Sequence, residues 1–223
     1  MAISHSVQDY LKTIYKLQNG HGANSSVNTT LLSETMGVSA ASVTSMFKKL
    51  AEMDLVRHTP YKGVALTDAG EKAALEVVRH HRLLERYLMD RLGYSWDEVD
   101  AEADRLEHVI SEEFEDRIDK AMGYPTIDPH GDPIPTKDGN IHRIDTSRLS
   151  ETKVGKQVRI VHVSDHDPEM LRYMEGLGLV PATRVEVRER APFNGPLLVV
   201  VNAGEEHALG LEVARHIHVA ESE

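Results

Sequence analysis

Three stretches with apolar residues three or four apart, followed at once by two β-rich runs around a Lys-Gly turn, limit what the first third of this chain can become. Val7, Leu11, Ile14, Tyr15 and Leu17 or Gln18 keep a helical period, which predicts an amphipathic helix over residues 6–19. NGHGANSS is a breaker-rich loop. Asn28 is a good cap for a second helix, with Leu31, Leu32 and Met36 inward and Gly37 at its end. Ser39 can cap a third helix from about Ala40 to Met53, with Val43, Phe47, Leu50 and Met53 inward. LVRHTP and VALT then flank YKG as two strands of a hairpin with Lys62-Gly63 at its tip. Helix, helix, Gly turn, helix, hairpin is the order of a winged helix-turn-helix.

The outward face of the third helix carries Ser39, Ser42, Thr44, Ser45, Lys48 and Lys49. Hydroxyls and lysines there suit phosphate positioning and groove contacts on double-stranded DNA. Tyr61 and Lys62 on the wing are placed to touch backbone. The helix offers no Arg, Asn or Gln for bidentate base readout. Specificity then leans on hydroxyl and methyl contacts and on DNA shape. A plain helical bundle with a polar face is the alternative, and the hairpin argues against it.

Charge complicates a DNA partner. The whole chain of 223 residues carries a formal net charge of −11, which on its own argues against nucleic acid. The charge is unevenly spread. Residues 1–75 hold 7 Lys/Arg and 6 Asp/Glu, whereas residues 76–145 hold 18 acids, 9 bases and 5 histidines. A near-neutral head thus precedes an acidic, His-bearing middle. The apolar fraction of 40% suits a sizeable core. No apolar run is long enough to span a bilayer, and MAISHSVQDYLKTIYKL lacks the apolar core of a signal peptide. A cytoplasmic protein with no membrane partner is the expectation. There is no cysteine, so thiolate metal sites are excluded.

Asp68-Ala-Gly-Glu71 opens a long helix reaching about Leu92, with Gly93 after it. Ser95 is placed to cap a helix from Trp96 to about Ile110, and Ser111 starts another ending near Met122-Gly123. In WDEVDAEADRLEHVI, Asp104, Glu107 and His108 are spaced for one helical face, with Asp100 a turn earlier. Three acids and an imidazole on one face repel unless a cation holds them. His81 and Glu85 form a second pair at i, i+4 on the long helix. Each pattern alone could be a solvated face; two on consecutive helices point to metal.

HHRLLERYL, GYSWDEVDAEADRLEHVISEEFEDRID and GYPTIDPHGDPIP, together with SVQDYLKTIYKL, resemble the diphtheria-toxin-repressor family of metal-dependent regulators. The similarity runs over essentially the whole chain. It implies a mainly α protein with a small β-domain: a winged helix-turn-helix over 1–73, a helical metal-binding and dimerisation domain over 74–145, and an SH3-like (FeoA-like) domain over 150–223. By the same resemblance a primary metal site falls on Asp9, Asp104, Glu107 and His108, with His81 joining in a binuclear arrangement. A second site maps to His81, Glu85, Asp128, His130 and Asp167, so two ions per subunit are expected. Iron-responsive members carry Met and Cys where this chain has Asp9 and Asp104. Replacing soft sulfur by carboxylate favours Mn²⁺ over Fe²⁺.

Residues 124–145 hold 4 of the 9 prolines and read as a loop. QVRIVHV, RVEVRER, LLVVVNA, HALGL and ARHIHVA then read as five strands, with a helix over DPEMLRYMEGLGL between the first two. His162, His166, His207, His216 and His218 are scattered among these strands, and are expected to be surface or satisfied histidines rather than ligands.

The expected function is a manganese-responsive repressor of metal-uptake genes, binding a palindromic operator as a homodimer, with no small organic substrate. An iron-responsive repressor of the same family is the nearest alternative, and a carboxylate–His metalloenzyme a distant one. The paired Glu-x-x-His motifs of di-iron bundles, a nucleophile–base constellation and a phosphate-cradling Gly loop are all missing from the sequence.

Overall fold

The computed structural model describes residues 3–20, 26–59, 62–142, 144–164 and 167–222. Tyr61 and His166, both named above, lie outside the described residues. The chain divides into two compact units. The first comprises Met1–His80, Glu107–Val109 and Pro135–Asn140, the second His81–Leu106, Ile110–Ile134 and Ile141–Glu223.

In the first unit, α1 (His5–Gly20) buries Val7, Leu11, Ile14 and Tyr15, the periodic residues of its sequence. α2 (Thr29–Met36) begins where the Asn28 side chain accepts from the Leu31 amide at 2.8 Å and ends at Gly37, whose φ of 64° closes the helix. α3 (Ala40–Glu52) is capped by Ser39, whose Oγ accepts from the Ser42 amide at 3.1 Å. Val43, Phe47 and Leu50 of α3 are buried, whereas Met53 is the C-cap and is exposed. β1 (Val56–Thr59) and β2 (Gly63–Leu66) pair antiparallel in the register Val56↔Leu66 to Thr59↔Gly63. Gly63 has φ 103°, and a Cβ there would lie 2.1 Å from the Val27 carbonyl oxygen. Only glycine lets the hairpin close against Val27, which bridges Val64. α4 (Asp68–Tyr87) follows; Thr67 Oγ1 accepts from the Gly70 amide at 3.0 Å. Residues up to His80 belong to this unit.

In the second unit, the remainder of α4 runs into a π-helical turn over Leu88–Leu92 that ends at Gly93, φ 75°. α5 (Val99–Leu106) and α6 (Glu112–Ala121) follow. Leu83, Leu84, Leu88, Val99, Ala103, Ile118 and Ile134 form one core cluster. The sequence reading carried the α5 helix from Trp96 to about Ile110, and the structure corrects this. The helix stops at Leu106, and Ser111 adopts an extended backbone to cap α6, its Oγ accepting from the Phe114 amide at 3.2 Å.

The rest of this unit is a six-stranded antiparallel sheet with strand order β3-β8-β4-β5-β6-β7. Its strands are β3 (Ser147–Arg148), β4 (Gln157–Val163), β5 (Arg184–Arg190), β6 (Leu197–Val201), β7 (Glu206–Leu209) and β8 (Ile217–Glu221). α7 (Pro168–Gly176) lies between β4 and β5 in sequence, and α8 (Leu211–Arg215) between β7 and β8. Alternate residues of β6, namely Leu197, Val199 and Val201, face a core shared with Val185, Val187, Ile217 and Val219. β3 and α8 are additions to the five strands and one helix expected. Both are too short to carry a periodic signal.

Candidate metal centres

In the first unit, α1 aims one face at the turn of residues 107–109. His5, Asp9 and Lys12 stand at i, i+4 and i+7, so they share that face. Asp9 Oδ1 lies 2.7 Å from His108 Nε2, and Glu107 Oε1 lies 3.4 Å from the same nitrogen. The donor atoms of Asp9, Glu107 and His108 all fall within 4.8 Å of one another. Gln8 Oε1 accepts from His108 Nδ1 at 2.9 Å. That bond orients the ring with Nε2 toward the carboxylates. The His5 ring stacks on His108 with centroids 5.0 Å apart. Glu107 is buried; its Oε2 accepts from Lys12 Nζ at 2.7 Å, and its backbone carbonyl is 3.0 Å from His80 Nδ1.

α5 ends at Leu106, so Glu107 and His108 lie in the turn beyond it. Asp104 belongs to the second unit, where its carboxylate lies 3.3 Å from His81 Nδ1.

The second unit holds two further groups that share Glu85. His81 Nε2 lies 3.1 Å from Asp100 Oδ1 and 3.4 Å from Glu85 Oε1. Glu85 Oε1 is also 3.4 Å from His130 Nδ1, and Glu85, Asp128 and His130 form a fully buried triad. The His130 ring is set by its other nitrogen, which faces the Trp96 carbonyl at 3.0 Å, and it packs beside the Trp96 ring. Asp128 is fixed by the loop it begins. Its Oδ1 accepts from the His130 and Asp132 amides, each at 2.9 Å. Arg82 braces the same loop: Nη1 donates to the Pro133 carbonyl at 2.6 Å, and Nε lies 3.3 Å from Asp128 Oδ2.

Burial opposes charge on Glu85, but the imidazoles of His81 and His130 outweigh it and hold its carboxyl below the usual range. Burial and the neighbouring Glu85 and Asp132 carboxylates push Asp128 up, against Arg82 and His130. Two buried carboxylates in one triad cannot both ionise cheaply without a cation. Donors at right angles around an octahedral ion with bonds of ~2.1 Å lie about 3 Å apart. The separations of 3.1–3.4 Å around His81 and Glu85 match that spread. All donors are oxygen or imidazole nitrogen, and their types and spacing fit a divalent cation in both units.

Of the residues expected at metal, the structure brings together Asp9, Glu107 and His108 in one unit, and His81, Glu85, Asp128 and His130 in the other. Asp167 stands in none of these groups. It is exposed and caps α7, its Oδ1 accepting from the Glu169 and Met170 amides at 2.9 and 3.3 Å. Sequence reasoning missed Gln8, Lys12 and Arg82 and left Asp100 without a role. His5 and Lys12 were detectable as polar residues sharing the Asp9 face of α1.

Of the residues expected to meet DNA, Ser42, Ser45, Lys48, Lys49 and Lys62 are exposed. Ser39 and Thr44 also serve their own helix, the first as cap and the second by donating to the Ala40 carbonyl at 2.8 Å. Among the described residues, no helix is long and apolar enough to cross a membrane.

Comparison with known proteins matches all three parts of the chain. Residues 2–64 match the iron dependent repressor N-terminal DNA binding domain. Residues 67–136 match the iron dependent repressor metal binding and dimerisation domain, and residues 147–221 the FeoA domain. The iron-dependent repressor IdeR of Mycobacterium leprae is 32% identical over 223 residues, covering 94% of either chain. A solved manganese-dependent transcriptional repressor in complex with manganese is 41% identical, with a TM-score of 0.89 over 97% of this chain and 100% of that one. The manganese regulator SloR is 32% identical, with a TM-score of 0.77 over the whole of both chains.

Proposed function

We propose that this chain, which belongs to the iron-dependent-repressor (diphtheria-toxin-repressor) family of metal-dependent transcriptional repressors, takes Mn²⁺ as its co-repressor. Its architecture is an N-terminal helix-turn-helix DNA-binding domain, a helical dimerisation domain and a C-terminal SH3-like FeoA domain. Its relatives are transcriptional repressors, not enzymes. Domain limits at 1–73, 74–145 and 150–223 are part of the proposal.

The observation that carries the manganese reading is the donor set Asp9, Glu107 and His108, which gathers carboxylate and imidazole without sulfur. Hard oxygen donors suit Mn²⁺ better than softer competitors. The solved relative named as a complex with manganese supports the same choice, while the name of the mycobacterial relative keeps Fe²⁺ as the second reading. We assign Asp9, Glu107 and His108 to the primary site, and the family resemblance adds Asp104. Glu85, Asp128 and His130, with His81 and Asp100 beside Glu85, make the second site, for two ions per subunit.

A bound ion supplies the positive charge that lets these carboxylates converge. The residues do the rest. Asp9 lies on the first helix of the reading head, and Glu107 and His108 lie about a hundred residues later. Holding them together fixes α1 and lowers the ordering cost of docking the head on DNA. Ser39, Ser42, Thr44, Ser45, Lys48 and Lys49 on the α3 face, with Tyr61 and Lys62 on the wing, contact a palindromic operator as a cytoplasmic homodimer. The test is Asp9→Ala and His108→Ala, measured against DNA selected from random duplexes in Mn²⁺. Both variants should fold and lose Mn²⁺-dependent binding. Retained metal response in either sinks the assignment.

A further inference from the structure

The two oxygens of Glu107 face different partners. Oε1 faces His108 Nε2 at 3.4 Å, on the side where Asp9 converges. Oε2 accepts from Lys12 Nζ at 2.7 Å, and the two side chains are only 9% and 1% exposed. Lys12 stands one helical turn beyond Asp9 on α1, so the helix that supplies a ligand also supplies an ammonium. A carboxylate that bridges two divalent ions through both of its oxygens lends one to each. Here an ammonium already holds the oxygen that this mode would give a second ion. Its charge also repels a divalent ion approaching from that side, and burial keeps solvent from screening the repulsion.

We infer that Lys12 is a specificity-determining residue that restricts the Asp9–Glu107–His108 site to a single divalent ion. The inference rests on reading those three residues as a metal site. Lys12 acts as a tethered cation in the place of a second metal, and it leaves Glu107 to bind through one oxygen. It also neutralises a buried carboxylate when no ion is present, so the site stays assembled.

The experiment is Mn²⁺ binding to the full-length chain without DNA, followed by equilibrium dialysis and electron paramagnetic resonance. A Glu85→Ala background silences both groups of the second unit, which share Glu85. That background should bind one ion per subunit with the spectrum of isolated Mn²⁺. Lys12→Glu should bind a second ion and show an exchange-coupled pair, while Lys12→Arg should stay at one. Removing the ammonium can unsettle buried Glu107, so folding of each variant is first checked by circular dichroism. Should Lys12→Glu not fold, Lys12→Met tests the same point, and loss of a unit charge beside the ion should tighten binding about tenfold. A coupled pair in the Lys12 background overturns the inference. So does an unchanged ion count in Lys12→Glu, or an unchanged affinity in Lys12→Met. If the background binds no ion, or if its binding survives His108→Ala, the metal reading of the site fails first and the inference falls with it.

Discussion

Gln8 accepts from Nδ1 of His108 at 2.9 Å, across 100 residues of sequence. The bond leaves Nε2 of the imidazole facing Asp9 and Glu107. Outer partners of this kind set ring orientation and ligand basicity, and losing one typically weakens metal binding about tenfold to a hundredfold. Gln8→Leu should therefore lower Mn²⁺ affinity by that amount with little change in melting temperature, and Gln8→Glu, which keeps an acceptor, should retain most of it. Calorimetric titration reads both. Equal affinity in wild type and Gln8→Leu would remove Gln8 from the account.

Gly131 sits inside the loop that presents Asp128 and His130. Its φ is 94°, and a Cβ there would lie 2.0 Å from the Val161 carbonyl oxygen. The Val163 amide also donates to the His130 carbonyl at 3.0 Å, so the loop lies directly against β4. Gly131→Ala should destabilise the protein by about 1–3 kcal/mol from backbone conformation alone. It should abolish binding at the Glu85–Asp128–His130 triad and leave an ion at His108. Thermal melting together with ion counting checks this, and a full complement of ions in Gly131→Ala contradicts it.

Much of the reading head was legible because its signals are local. Asn28, Gly37 and Ser39 cap helices through side chains or conformations that their neighbours in sequence already require. The end of α5 was not legible: LEHVIS contains no Gly or Pro to mark a stop at Leu106. Asp9 meets His108 through a contact that no periodicity encodes, and only resemblance to a family pointed to it. Arg82 read as one more charge on a long helix. Its role depends on a loop some fifty residues downstream, which folds back onto it.

Asp167, which the family resemblance adds to the second metal site, has a structural duty of its own. It caps α7 through two amide bonds. Asp167→Ala should cost about 1 kcal/mol of stability, whereas Asp167→Asn, which preserves the cap, should be nearly neutral. Neither change should alter the number of Mn²⁺ ions bound. A lost ion in Asp167→Asn would restore the residue to the second metal site.

His218 stacks on His162 with ring centroids 4.1 Å apart. Burial, then the neighbouring His162 and Arg148, lower its pKa from 6.5 to about 4. The unfolded chain takes up this proton before the folded one does. Stability from this group is thus unaffected above pH 6.5 and declines as pH falls from 6.5 toward 4. In metal-free buffer, His218→Phe, which keeps a ring on His162, should melt with a shallower pH dependence than wild type over that window. Parallel curves for the two proteins would contradict the assignment.

The most direct test of the central claim is operator affinity measured anaerobically against free Mn²⁺ and Fe²⁺ at fixed ionic strength, since affinity for DNA depends strongly on salt. The account predicts weak binding without metal and a steep gain as Mn²⁺ fills the site of Asp9, Glu107 and His108, with Fe²⁺ requiring a higher free concentration. Activation by Fe²⁺ at a far lower concentration than Mn²⁺ would contradict the manganese assignment, and an affinity indifferent to both ions would contradict metal control itself.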